Sequence, residues 1–303
     1  MTEPSGTGRA FLLVTHLGRT EAVATARKAA QRLLAAGIEV RAPRDEATGL
    51  AVAGIVAVDA LPGAATGCEL VVVVGGDGTL LRGAELARGS GAALLGVNLG
   101  HVGFLAEAEP EDLSAVADRL VAREYTVEER LTLEVAVLRD GTEPVRNWAV
   151  NEASVEKRSR ERMIELVVEV DGRPLSRWGC DGVVCATPTG STAYAFSAGG
   201  PVVWPEVQAL LMVPLSAHAL FARPLVVAPT SVLAVELAPG SPAGVLWCDG
   251  RRTADLEPGD RVETRRSAET LRLARIHRKS FTDRLVRKFD LPVTGWRGRA
   301  DRP

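Results

Sequence analysis

Five consecutive large apolar residues, Leu70 to Val74, run straight into Gly75-Gly76-Asp77-Gly78-Thr79 and then into LLRGAELAR. A strand that is apolar on both faces must be covered on both faces, which is the situation of a parallel strand in an α/β sheet. The residues after the glycines return to spacings of three and four, so a helix follows the turn. The flanking sequence repeats the pattern. FLLVTH (11–16) reads as a strand, EAVATARKAAQRLLAAG (21–37) as a helix stopped by Gly37, and IEVRAP (38–43) as extended. AALLGVN (92–98) is another buried strand and PEDLSAVADRLVAREY (110–125) another helix. Strand alternating with helix predicts a parallel sheet wound with helices.

The pattern changes near residue 126. LTLEVAVLRD (131–140), EPVRNWAV (143–150) and MIELVVEVDGRPL (163–175) alternate apolar and polar residues, with Asp140-Gly141 and Asp171-Gly172 as hairpin signals. ARPLVVAP (222–229), SVLAVEL (231–237), GVLWCDG (244–250) and TLRLARI (270–276) continue in the same style. The fold class expected is therefore α/β plus β: a wound parallel-sheet domain, then an antiparallel, sandwich-like domain. After residue 276 the chain returns to helix, with Ser280 and Asp283 as a capping pair and Phe281, Leu285 and Phe289 on one face. The domains are expected at 1–126, completed by 277–303, and at 127–276.

Several function classes lose ground on composition. The 303 residues carry a formal net charge of −2 with no long run of one sign, so no nucleic-acid groove is expected. No stretch approaches the ~18 uninterrupted apolar residues of a membrane span. MTEPSGTGRA lacks a basic start and an apolar core, so it is not read as a signal peptide. Cys68, Cys180, Cys185 and Cys248 form no CxxC pair and read as small hydrophobes of a reducing cytoplasm. The four histidines are scattered, which argues against a metal cluster built from side chains.

The turn at 75–79 carries the chemistry. A glycine turn between strand and helix is where phosphate binds, because the first helical N–H groups point outward. The GxxxxGK[ST] pattern is absent, since the chain has no Gly-Lys pair. The dinucleotide fingerprint GxGxxG is half met by Gly76 and Gly78, with Leu81 in the third place, which weakens a dehydrogenase reading. Asp77 is either a helix cap or a carboxylate that orients and deprotonates a hydroxyl while Gly75, Gly76, Gly78 and Thr79 hold phosphate oxygens. The second arrangement is that of a phosphoryl transfer and implies Mg²⁺ or Mn²⁺ carried on the nucleotide. Another glycine-rich turn, GVNLGHVGFLAE (96–107), follows the next strand, and Asn98 and Gly100 are expected beside the first loop. CDGVVCATPTGSTAYAFSAGG (180–200) crowds Thr187, Thr189, Ser191 and Thr192 at a strand end, a composition suited to a polar ligand, and Tyr194 can stack on a base or ribose.

GGDGT (75–79), NLGHVGFL (98–105), Asn151-Glu152 in AVNEASV, DGVVCATPTGSTAYAFSAGGPVV (181–203) and PLSAHALFARPLVV (214–227), in this order, resemble the NAD kinase family over roughly residues 70 to 290. GGDG by itself is shared with lipid kinases. The resemblance implies transfer of a phosphoryl group from ATP or polyphosphate to the 2′-hydroxyl of the adenosine ribose of NAD, giving NADP. It implies Asp77 as general base, Gly78 and Arg82 where the loop meets the dinucleotide, and Asn151 and Glu152 on the adenosine half. It further implies Arg162 as a basic position near the substrate, and Asp181 with Thr192, Ala193, Tyr194, Ala195, Phe196 and Ser197 as NAD contacts. A homodimer or homotetramer associating through the β domain is implied as well. Two positions depart from the family pattern: Gly179 stands where many relatives carry arginine, and Arg251 where glutamine is common. The competing readings are a non-catalytic NAD sensor and a lipid kinase sharing GGDG; the hydroxyl-dense 187–197 stretch speaks against the apolar channel the latter needs.

Overall fold

The computed structural model describes residues 8–98, 103–104, 113–276 and 280–293. Most of the 98–105 turn and the start of the 110–125 helix therefore lie outside the described residues. The chain divides into two compact units, one of residues 1–129 with 271–303 and one of residues 130–270.

The first unit is built on a seven-stranded sheet. Its strands are β1 (Ala10–Thr15), β2 (Glu39–Pro43), β3 (Val56–Val58), β4 (Leu70–Val74), β5 (Ala93–Val97), β6 (Thr126–Arg130) and, from far along the chain, β19 (Leu271–Arg275). Their order is β3-β2-β1-β4-β5-β19-β6, and the pairings from β3 through β19 are parallel. β1, β4 and β5 are buried at every position. The alternation of side chains explains why. Phe11, Leu13, Val72, Val74, Leu95 and Val97 pack with Ala22, Ala26 and Leu33 of α1 (Thr20–Ala35) and Val116 and Leu120 of α4 (Leu113–Val121). Val71, Val73 and Leu94 face α3 (Asp77–Ala87), where Gly83 brings the helix so close that a methyl group would lie 2.6 Å from Val73 Cγ2. Helix α1 ends where Gly37 takes φ 76°.

The segment 44–58, which carries no clear periodicity, supplies a short helix α2 (Arg44–Leu50) and edge strand β3. TLRLARI, expected among the antiparallel strands, instead enters the parallel sheet beside β5, pairing Leu273 with Leu94. Its Leu273, Ala274 and Arg275 are all buried, which the alternating pattern of an antiparallel strand does not foresee. The helix α6 (Phe281–Phe289) is capped as the sequence predicts, Ser280 Oγ accepting the Asp283 N–H at 3.1 Å. It closes on Phe104: the rings of Phe281 and Phe289 lie 5.7 and 6.0 Å from that of Phe104, and Arg284 donates to the Phe104 carbonyl at 2.9 Å.

The second unit consists of two six-stranded antiparallel sheets. One comprises β7 (Leu133–Leu138), β8 (Val145–Ala149), β10 (Ile164–Val170), β11 (Arg173–Cys180), β15 (Leu233–Leu237) and β18 (Arg261–Arg266), in the order β11-β10-β15-β18-β7-β8. The other comprises β9 (Glu152–Lys157), β12 (Gly182–Ala186), β13 (Leu210–Leu215), β14 (Leu225–Val227), β16 (Gly244–Cys248) and β17 (Arg252–Leu256), in the order β14-β13-β12-β9-β16-β17. Leu133, Val135, Leu166 and Val235 from the first meet Val155, Val183, Cys185 and Leu246 from the second in one core around Trp178. The outer face of β12 and β13 is covered by Ala195 of a four-residue helix α5 (Tyr194–Ser197) and by Val203. The turn Asp171-Gly172 has φ 53° and 72°, the paired positive values of a type I′ hairpin. Among the described residues no helix is long and apolar enough to cross a membrane.

Candidate functional site

In the first unit, β1 leads outward to β2 and β3 while β4 and β5 lie on its other side. The carboxyl ends of β1 and β4 therefore form the point where strand order reverses, the place where open α/β sheets take ligands. Gly75 leaves β4 there, its N–H bonded to the Val97 carbonyl at 3.0 Å. Thr79 folds over it, so a Cβ on Gly75 would sit 2.6 Å from Thr79 Oγ1. Gly76 precedes α3 and its carbonyl accepts the N–H groups of Thr79 and Leu80. Among the described residues nothing comes within 4 Å of where a Cβ on Gly76 or Gly78 would lie, and neither glycine has a positive φ. No contact among the described residues demands glycine at these two positions; a bare surface open to close approach does.

Asp77 is the first residue of α3. It does not act as the helix cap: Gly76 holds the cap position and no side chain caps that end. Its Oδ1 is buried without a hydrogen-bond partner. The carboxylate lies against Gly103, where a Cβ would come 2.5 Å from Oδ1. This is the described part of the second glycine-rich turn. Arg82, on the next turn but one of α3, is not free; it is ion-paired with Glu46 of α2. Glu46 is 1% exposed and its other oxygen accepts the Thr15 N–H at 2.5 Å. Burial pushes the Glu46 carboxyl up, and the Thr15 N–H and Arg82 pull it back. Glu46 thus ties Arg82 to the end of β1. Nothing in RDEATGL announces this, since a lone glutamate on a short helix reads as solvated surface.

In the second unit, Asn151 and Glu152 stand at the corner where β8 ends and β9 begins, 8% exposed each. The corner is pinned from both sides. Asp249, 7% exposed, accepts the N–H groups of Val150 (2.9 Å), Asn151 (2.7 Å) and Glu152 (3.4 Å). Thr187 Oγ1 donates to the Val150 carbonyl at 2.7 Å, and its N–H donates to the Asn151 carbonyl at 2.9 Å. Gly190 then passes so close that a Cβ would be 2.7 Å from Asn151 Cα. Glu152 Oε2 is buried without a partner. Burial, and after it the charge of Asp249, push the Glu152 carboxyl up to about 8, against the pull of the Tyr194 N–H. Asp249 itself is raised by burial and drawn back by the main-chain N–H groups it accepts. It was not singled out from sequence. Asp249-Gly250 is a hairpin signal, and it forms one, with φ 53° and 61° between β16 and β17.

The hydroxyls of the 187–192 stretch do something other than wait for a ligand. Ser191 Oγ bonds the carbonyls of Pro188 and Val203 and the Val203 N–H, and Thr192 Oγ1 donates to the Thr189 carbonyl at 3.3 Å. They build the tight turn that delivers Tyr194. A hollow of about 600 Å³ opens beside it, lined by Tyr194, Ser197, Ala198, Asp181, Ser216 and the basic residues Lys157, Arg158 and Arg160 among others. Lys157 Nζ is 2.5 Å from Asp181 and holds that carboxyl below its ordinary range. Tyr194 and Phe196 are exposed by more than a third, while Ala195 is buried in the core. Arg162 is exposed on the β9–β10 loop and is not among the residues lining the hollow. Gly179 has open space where a side chain would start, and its carbonyl accepts the His218 N–H at 2.8 Å.

Residues 11–125 match the family described as the ATP-NAD kinase N-terminal domain, and residues 150–276 match the ATP-NAD kinase C-terminal domain. The chain is 61% identical over 292 residues to NAD kinase 2 of Streptomyces avermitilis, covering 96% of this chain and 97% of that one. It is 59% identical to the NAD kinase of Thermobifida fusca, covering 97% and 93%. Among solved structures it is similar to yeast NADH kinase complexed with NADH, with a TM-score of 0.83 at 23% identity over 97% of this chain and 89% of that one. It is also similar to an NAD kinase from Archaeoglobus fulgidus in complex with ATP, with a TM-score of 0.70 at 26% identity over 93% and 98%. Two matched domains and relatives 59–61% identical over nearly the whole chain leave one conclusion: the chain belongs to the NAD kinase family.

Proposed function

We propose that the chain transfers the γ-phosphoryl group of ATP to the 2′-hydroxyl of the adenosine ribose of NAD, with Asp77 as the general base. The observation that carries this reading is the buried, unpartnered Asp77 Oδ1 beside two glycines that the fold itself does not require. An acid left without a partner at a helix start is kept for a proton it will accept. As the ribose oxygen bonds to the γ-phosphorus, its proton passes to Asp77, the bond from phosphorus to the β–γ bridging oxygen breaks, and ADP leaves. The N–H groups of Gly76 and Gly78 at the start of α3, with the Thr79 hydroxyl, steady the donor's anionic oxygens, and Gly75 is the bend that aims them. Arg82, held by Glu46, adds a fixed positive charge on the same helix.

Asn151 and Glu152 take the adenosine half of NAD. Asp181 and the stretch Thr192, Ala193, Tyr194, Ala195, Phe196 and Ser197 supply further NAD contacts, and Arg162 a basic charge nearby. The 127–276 region is thus the NAD-binding part, and residues 1–126 with 277–303 the part that handles phosphate. A divalent cation, Mg²⁺ or Mn²⁺, would be carried on the nucleotide's phosphates, with Asp77 the carboxylate of the loop nearest to it, and would supply charge neutralisation of the transferred group. Leu220, Phe221 and Val226, exposed on or beside edge strand β14, support a homodimer or homotetramer formed through the second unit. Four free buried thiols agree with a reducing cytoplasm.

The test is NADP formation from NAD, ATP and Mg²⁺, read with a strictly NADP-dependent enzyme, beside the Asp77→Asn variant and with polyphosphate as an alternative donor. Wild type makes NADP; the variant binds NAD and turns over at least 10²-fold more slowly. Binding of NAD without NADP from the wild type leaves a sensor, and phosphorylation of sphingosine or diacylglycerol leaves a lipid kinase.

A further inference from the structure

We propose that Asp249 is the positioning residue of the NAD site: by gathering three successive main-chain N–H groups onto one buried carboxylate, it sets the directions in which Asn151 and Glu152 project. The proposal rests on the reading of those two residues as adenosine contacts. Asp249 sits in the β16–β17 turn, about a hundred residues from the corner it holds, at a positive φ of 53°. Within its own hairpin its side chain meets Arg252. It reaches back to Val150, Asn151 and Glu152, while its own N–H donates to the Glu152 carbonyl at 2.9 Å. This closes a ring between two strands: main chain to side chain in one direction, main chain to main chain in the other.

Three convergent N–H groups can be satisfied only by an acceptor with several lone pairs in one place, and a carboxylate has that capacity. The anion is in turn neutralised by Arg252, whose Nη2 lies 3.0 Å from Oδ2 and whose guanidinium stacks 4.3 Å over the Trp148 ring. Arg252 also donates to the Trp148 carbonyl at 2.7 Å and the Asn147 side chain at 3.1 Å, so the clamp is anchored on β8 as well. The opposite side of the corner is held by Thr187. A peptide with both its N–H and C=O groups committed cannot rotate, and the side chains between them inherit that fixity. The charge of Asp249 has a second effect on the same corner: it is the next cause after burial of Glu152 keeping its proton. The other groups that bear on Glu152 are the Tyr194 N–H from α5 and Glu156 from β9.

Asp249→Asn keeps the volume and replaces one acceptor oxygen by an NH₂ group that faces the main-chain donors. KM and kcat are measured for NAD and for ATP, on the full chain, for wild type, Asp249→Asn, Asn151→Ala and the double variant, with unfolding followed in parallel. Positioning predicts an NAD KM raised about tenfold in Asp249→Asn, with the ATP KM within twofold, and a double variant no worse than its poorer parent. Asp249→Ser, which retains one acceptor, replaces Asp249→Asn if the latter shows no cooperative unfolding. An unchanged NAD KM in the folded variant, an equal rise for ATP, or additive losses in the double variant overturns the proposal. If Asn151→Ala and Glu152→Gln themselves leave the NAD KM unmoved, the fault lies with the assignment of the corner to NAD.

Discussion

The loop at 75–79 and the corner at 150–152 each present a carboxylate with a buried oxygen that lacks a partner, Asp77 Oδ1 in one and Glu152 Oε2 in the other. They are built by different means. The loop is short-range: strand, glycine bend and helix start are contiguous, and most of what shapes it lies within five residues. The corner is long-range: its N–H groups are held from residue 249 and its carbonyls from residue 187. The loop leaves room, since among the described residues nothing lies within 4 Å of a Cβ on Gly76 or Gly78. The corner fills all of it, since Gly190 has no room for a methyl group beside Asn151. An open loop stays adaptable to a flexible polyphosphate, whereas a filled corner selects one rigid shape.

The contrast is most exposed at glycine. Gly190→Ala drives a methyl group into Asn151 backbone, which cannot swing aside; we expect a loss of several kcal/mol, about 3 or more, read in chemical unfolding. Gly190→Ala with wild-type stability would show that the corner is as adaptable as the loop. The next effect is a dependence on pH. Folded Glu152 keeps its proton up to about 8, whereas an unfolded glutamate releases it near about 4.3. The folded state therefore binds more protons across that window, and the stability this group contributes falls as pH rises through it. Glu152→Gln does not titrate, so its unfolding free energy relative to wild type should climb with pH from 5 to 8, by at most about 1.4 kcal/mol per unit. A flat difference would mean that Glu152 is charged in the folded protein. The smallest change in stability is expected at Gly78→Ala, which removes a glycine from an exposed position in the first turn of α3 and should stabilise the protein by about 0.5–1 kcal/mol. The same variant should lose at least tenfold in kcat/KM for ATP, because the added methyl occupies space meant for the ligand. Stabilisation without loss of activity would remove the reason given for that glycine.

What could be read from the sequence follows the same division. The apolar run before Gly75 and the periodic run after it are local, so β4, the turn and α3 emerge within a residue or two of their observed limits. Asp77 attracts notice because neither a plain turn nor a phosphate loop has need of an acid. Gly83 escapes notice because the search for a third glycine stops at Leu81, two residues too early, although the close approach of helix to strand occurs at 83. Asp249 hides in a turn dipeptide whose φ values explain it fully, and only the fold reveals that its side chain serves another strand. Glu46 carries no signal at all, because burial of one charge beside Arg82 is decided by tertiary packing. The hydroxyls at 187–192 suit a polar ligand by composition, and the fold also uses those of Thr187 and Ser191 to bond the Val150 and Pro188 carbonyls.

One strand has consequences for how the protein comes into being. β19 lies between β5 and β6 in the first sheet, although some 140 residues of chain separate it from β6. A ribosome delivers the two flanking strands early and the strand that belongs between them last. Until then the nascent sheet carries a gap with unpaired edges, while the second unit, whose strands are contiguous, has everything it needs to fold first. Assembly therefore runs against the direction of synthesis, and a chain severed after residue 129 lacks an inner plank rather than a tail.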